Sequence, residues 1–186
     1  MTRPVLIRKE FGNSATHISE NWRISSIPIL HSGIIISSFS NSMLKTSKDI
    51  DIRFSEVDLM KVVWHGAYPL YLEDAREAFG QKYGLSYTGY LDNQCYAPIV
   101  DMQIQYKHPL RYGSQARIDI IYKPCISAKI IFDYEIRDRH TNLLYCQART
   151  VQVFMDMNYN LMIYSPEFYV KWKEKWETHK ISPEEC

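Results

Sequence analysis

The segment YPLYLEDAREAFGQKYG, residues 68–84, decides the architecture. Tyr68, Tyr71, Leu72, Ala75, Phe79 and Tyr83 recur at spacings of three and four, which puts them on one face of a helix. Glu73, Asp74, Arg76, Glu77 and Lys82 fall largely elsewhere and read as its solvated side. Pro69 suits a first helical turn, where its missing N–H is not needed, and Gly84 suits the left-handed residue that closes a helix. The helix is predicted over residues 66–83.

One strand-like run precedes it and four follow. DIDIRFS, residues 49–55, alternates polar and apolar, as a half-buried strand does. After the helix come residues 97–108, 115–122, 129–137 and 143–155, linked by turns such as LRYGS and DRHTN. Long strands joined by turns point to an antiparallel sheet. A short helix pattern opened by Ser-Pro closes the chain over residues 165–176. One central helix without crossover partners excludes a doubly wound α/β fold. The expected class is α+β, a curved antiparallel sheet wrapped around one long helix. Such a sheet leaves an open edge, which favours pairing with a second copy.

A length of 186 residues suits one domain with a sizeable core. We expect an N-terminal extension over residues 1–47, the folded domain over 48–178 and a tail over 179–186. The first 47 residues are rich in Ser, Asn and Ile without a sustained period, so Met43 reads as a candidate start of the functional chain. The run ISSIPILHSGIIISSF, residues 24–39, is too short and too interrupted to span a bilayer, and its long mixed leader fits a signal peptide poorly. A net charge of +1 gives no footing for nucleic acid, whose binding proteins usually carry a basic excess. Cys95, Cys125, Cys146 and Cys186 form no CxxC pair and read as reduced thiols of a cytoplasmic protein. Fourteen tyrosines suggest strands and a well-lined pocket.

Asp58 and His65 flank Val62, Val63 and Trp64, where a core-building segment has use for neither. The N-terminus of the helix, with its free amides and partial positive charge, should point back toward Asp58. Two readings stand for that carboxylate: a cap or a functional group. Its distance from Pro69 argues against a direct cap. His65 reads most plainly as a histidine packed at the helix entry. Metal binding is poorly supported, because no second His or Cys lies at ligand spacing, and a serine triad lacks its GxSxG elbow. The Glu73-Asp74-Arg76 cluster reads as solvated, although Glu73 could look into a pocket. His108 and His140 read as surface residues.

The order Asp58, six residues, His65, two residues, Tyr68, then Tyr71-Leu72-Glu73-Asp74-Ala75-Arg76 resembles the signature of the 4-hydroxybenzoyl-CoA thioesterase family, nearest its Tol-Pal-associated branch. YKHPLRYGSQARIDI, residues 106–120, is similar to that family's Tyr-x-x-Pro-x-x-x-Gly strand junction. The resemblance covers about residues 48–160. It implies the hotdog fold and hydrolysis of an acyl-CoA thioester, with no metal and no nucleotide cofactor. It further implies Asp58 as nucleophile or general base and the backbone N–H of His65 as oxyanion donor. Val63, Trp64, Tyr68, Tyr71 and Glu73 would line the acyl site, and Lys107 and Arg111 would hold the CoA nucleotide. An acyl-carrier thioester is the other substrate it allows, and a homodimer or homotetramer the assembly. The family's usual glycine is replaced by Lys61. Two further readings keep the fold: a dehydratase or hydratase, for which this acid–histidine spacing is less suited, and a binding module without turnover.

Overall fold

The computed structural model describes residues 43–176 and Thr178. The expected extension up to residue 42 and the tail over 179–186 lie outside the described residues. Among the described residues the chain runs β1 (Lys45–Ile50), α1 (Tyr68–Tyr83), α2 (Tyr87–Asp92), β2 (Cys95–Tyr96), β3 (Ile99–Tyr106), β4 (Ala116–Lys123), β5 (Lys129–Asp138), β6 (Leu144–Val153), β7 (Met155–Asp156) and α3 (Glu167–Lys175). Single 3-10 turns stand at Phe54–Glu56 and His65–Ala67. A five-stranded antiparallel sheet has the order β1-β4-β5-β6-β3, and β2 pairs with β7 beside it. This is the hotdog arrangement, one long helix held by an antiparallel sheet.

Alternation builds most of the core, although Ile131 of β5, out of phase, is buried as well. Along β4, Ala116, Ile118, Ile120 and Tyr122 turn inward, and along β5 Ile130, Phe132, Tyr134 and Ile136 do the same. Leu72, Ala75 and Phe79 of α1 are fully buried. Phe79 meets Phe132 edge-on, with ring centroids 4.9 Å apart. The helix ends at Gly84, whose φ of 90° carries no penalty only in glycine. Trp172 and Trp176 of the C-terminal segment both donate their indole N–H to the Tyr83 carbonyl, at 2.7 and 2.9 Å. Carbonyls of a last helical turn otherwise lack partners, so α3 both covers and caps the end of α1.

Three expectations change. The first strand lies at Lys45–Ile50 instead of 49–55, and residues 54–56 form a 3-10 turn. Arg76 is buried, only 6% exposed, and so leaves the solvated face to which Asp74 and, in part, Glu73 still belong. Cys125 is disulfide-bonded, whereas Cys95 and Cys146 are free and buried. Among the described residues no helix is long and apolar enough to cross a membrane.

The buried phenols give the fold an alkaline limit. Burial pushes Tyr122 up to about 12, and Tyr68 likewise, with further push from Cys146 and Tyr106. A phenol raised in the fold stabilises it fully below the unfolded value near 10, and that contribution is lost as the pH rises through the folded value. Urea midpoints should therefore be flat up to about pH 10 and then fall, with phenolate absorbance rising together with unfolding. Phenolate absorbance that rises while the midpoint stays unchanged would contradict this.

Candidate active site

Residues 57–63 form a tight hairpin ahead of α1. Val57 pairs with Val63, Asp58 N–H donates to the Val62 carbonyl at 2.9 Å, and Lys61 N–H donates to the Asp58 carbonyl at 2.9 Å. The return strand is anchored on both sides: Val62 pairs with Arg111, and Val63 N–H donates to the Leu110 carbonyl at 2.8 Å. Asp58 caps this turn itself. Its Oδ1 accepts from Met60 N–H at 2.8 Å and from Val62 N–H at 3.3 Å. No protein donor among the described residues reaches Oδ2. The open question of the carboxylate's role is thereby narrowed: it is no helix cap, and one oxygen is fixed while the other is free.

Lys61 occupies the left-handed position of the turn, with φ 60°. A three-residue hairpin loop favours glycine there, since any Cβ meets the following carbonyl. The lysine thus takes a backbone conformation that suits glycine better, and its exposed side chain does not line the cavity described below. Lys61→Gly should raise stability by about 0.5–1 kcal/mol, the relief of strain being partly offset by glycine's freedom in the unfolded chain. Urea denaturation checks it, and a destabilised variant would contradict it.

Asp58 and His65 line one cavity of about 330 Å³, together with Met60, Val62, Val63, Trp64, Tyr68, Tyr106, Lys107, His108, Pro109 and Leu110. The 3-10 turn His65–Ala67 leads directly into α1, so the amides of His65 and Gly66 stand at the positive end of the helix. The Ala67 amide donates to the Trp64 carbonyl at 3.0 Å, and those of His65 and Gly66 have no protein acceptor among the described residues. A Cβ at Gly66 would lie 2.0 Å from the Trp64 ring, so any larger residue there must displace that side chain. That ring stands edge-on to the His65 imidazole at 5.5 Å. Tyr106 closes the far wall. Its hydroxyl donates to the His65 carbonyl at 3.2 Å, and its ring meets Tyr68 edge-on at 4.8 Å.

Of the residues expected from sequence, the fold brings Asp58, Val63, Trp64, His65, Tyr68 and Lys107 to this cavity. Tyr71, Glu73 and Arg111 do not line it. Tyr71 and Glu73 face a neighbouring cleft of about 420 Å³, which Glu56 and Arg53 also line. Glu73 accepts from Arg76 and from the Tyr87 hydroxyl, and burial raises its pKa, with Asp74 and Glu77 adding to the push. Tyr106 and Leu110 were not singled out as site residues, although both stand in the strand-junction motif. His108 also reaches the cavity, while its Nδ1 lies 2.8 Å from the Leu144 carbonyl.

Comparison with known proteins follows the same outline. The chain is 31% identical over 91 residues to a Bacillus subtilis (strain 168) protein described as "Putative acyl-CoA thioesterase YneP", covering 49% of this chain and 66% of that relative, just short of two thirds of its length. The DHNA-CoA thioesterase of Staphylococcus aureus superposes with a TM-score of 0.64 at 21% identity, covering 72% of this chain and 91% of that one. A mutant 4-hydroxybenzoyl-CoA thioesterase complexed with 4-hydroxybenzoyl-CoA superposes with a TM-score of 0.61 at 18% identity, covering 69% and 98%. These structural likenesses speak for the hotdog fold. The family model for the Thioesterase-like superfamily matches residues 52–176, from the approach to the hairpin through α3, and so the chain belongs to that superfamily.

Proposed function

We propose that this chain hydrolyses an acyl-CoA thioester to the free acid and CoA. One observation carries the reading. Asp58, whose second oxygen meets no donor among the described residues, and His65, whose amide opens the helix N-terminus with no acceptor there, line a single cavity with largely apolar walls. In this reading Asp58 Oδ2 attacks the thioester carbonyl carbon, or takes a proton from a water that does so. The carbonyl oxygen gains the negative charge, and the His65 N–H, joined by that of Gly66, stabilises it where it forms. The tetrahedral intermediate then expels the CoA thiolate, which takes up a proton. Water completes hydrolysis of any acyl-aspartate. Val63, Trp64, Tyr68 and Tyr106 wall the acyl group, and Lys107 at the mouth meets the phosphates of CoA. Arg111, Tyr71 and Glu73 lie off the cavity and are given no part in it. A cytoplasmic location belongs with this reading through its CoA thioester substrate alone, since a disulfide at Cys125 is not what that compartment favours.

The assembly we propose is a homodimer through β3, or a homotetramer of two such pairs. β3 ends the sheet, so its outer backbone groups have no strand partner among the described residues. Val100 (59% exposed) and Tyr106 (50% exposed) stand along it. Two-fold pairing of identical edges satisfies those groups.

The test is thiol release by the full chain from short, medium, long and aromatic acyl-CoA substrates, with light scattering to give the assembly. Turnover of at least one class is expected. Acyl-CoA that binds without release of thiol would replace this reading with the binding module.

A further inference from the structure

A buried acid just upstream has no part in the chemistry above. Glu56 is 8% exposed and stands two residues before Asp58. Its Oε2 accepts from the Tyr71 hydroxyl at 2.6 Å and from Arg53 N–H at 2.9 Å. Its backbone carbonyl accepts from Trp64 N–H at 3.0 Å. Tyr71 belongs to α1 and is 4% exposed. Glu56 therefore grips three pieces at once: its own 3-10 turn, the second turn of α1, and the residue whose neighbour is His65. Val57, next in sequence, begins the hairpin that carries Asp58.

These links run to both halves of the proposed catalytic pair. Asp58 depends on the hairpin's placement, and the His65 and Gly66 amides depend on the chain's entry into α1. A side chain bonded to α1 and a main chain bonded to Trp64 fix the one against the other. We infer that Glu56 is a positioning residue, which sets the Asp58 carboxylate against the His65 and Gly66 amides through its hydrogen bonds to Tyr71, Arg53 and Trp64. The inference rests on the reading of Asp58 and His65 as that pair. It concerns geometry, not charge: both side-chain bonds fall on one oxygen, and a glutamine carries an oxygen in the same place.

Two readouts test it. Where circular dichroism shows Glu56→Ala folded, kcat should fall about 10²-fold with KM little changed, since displacement of about an ångström has effects of that size. Glu56→Gln should return to within a few-fold of the parent, and Tyr71→Phe should share the loss without adding to it in the double variant. Unchanged kcat in Glu56→Ala, or an equal loss in Glu56→Gln, would overturn the inference. Amide hydrogen exchange supplies the readout that needs no turnover. Glu56→Ala, or Tyr71→Phe if the first fails to fold, should speed exchange at Met60, Val62 and Trp64 while β5 stays protected. Exchange that speeds everywhere, or nowhere, would overturn it as well. A parent without turnover sinks the thioesterase reading and leaves this exchange result to stand on its own.

Discussion

Asp58→Asn should remain folded, still bind acyl-CoA, and lose thioester turnover by on the order of 10³-fold. Asparagine matches aspartate in shape, and its carbonyl oxygen can still accept from Met60 and Val62, so the hairpin keeps its form. What disappears is the negative charge on the oxygen facing the cavity, without which neither attack on the carbonyl nor proton abstraction from water proceeds at a useful rate. Asp58→Ala should lose as much turnover and, in addition, about 1 kcal/mol of stability, because the two turn amides lose their acceptor. The two variants thus separate the residue's chemistry from its local structural part. Thiol release gives kcat, calorimetry gives the affinity, and urea midpoints give the stability. Turnover within about tenfold of the parent in Asp58→Asn would sink the assignment of chemistry to this carboxylate.

The parts of the fold legible in the sequence are those whose signal is local and two-sided. α1 was readable because its buried face repeats every three or four residues over four turns. The inward residues of β4 and β5 were readable because both strands have neighbours on either side and one solvent face, which enforces alternation. β1 was displaced by several residues for the opposite reason. It is an edge strand whose residues 45–49 are mostly exposed, so nothing alternates there, whereas the apparent alternation of 49–55 belongs to an extended connection that buries Ile52. α2 escaped notice because six residues are too few to show a period. Its one clue is Ser86, whose Oγ accepts from Gly89 N–H at 3.3 Å.

Apart from Lys107, the site was legible only in its linear half. Asp58, Trp64, His65 and Tyr68 sit close together in the chain, and motif spacing finds such residues. Tyr106, the last residue of β3, and Leu110, in the connection to β4, lie some forty residues on, and only the sheet's topology brings them across. Arg76 was misread for a related reason. A charged residue beside a buried helix face is solvated unless tertiary partners come to it, and here Glu73 on the helix and Tyr87 beyond its end build that environment. Glu56 gives no signal in one dimension at all. An acid before a hairpin reads as exposed until Tyr71 is known to stand over it.

The largest effect on stability is expected at Phe79, far from the chemistry. Phe79→Ala should lower the unfolding free energy by about 3–5 kcal/mol. The ring is 0% exposed and packs against Phe132 at 4.9 Å, Tyr83 at 4.6 Å and Tyr122 at 6.5 Å, so its removal opens a cavity that three large aromatics cannot close without leaving their rotamers. For a domain of this size the loss corresponds to a fall in Tm of roughly 10–20 °C. Turnover per folded molecule should nonetheless hold at low temperature. Phe79 stands eleven residues along α1 from Tyr68, roughly 17 Å of helix, with the 3-10 turn at His65 beyond that, and the amides at the far end are set by the hairpin and by Tyr106. Phe79→Leu should recover more than half of the loss, because it refills most of the volume. Calorimetric scans beside thiol-release rates at low temperature check both halves. A Phe79→Ala variant that stays fully folded yet loses turnover as Asp58→Asn does would mean that the packing of α1 against the sheet, and not the hairpin, sets the geometry at its N-terminus.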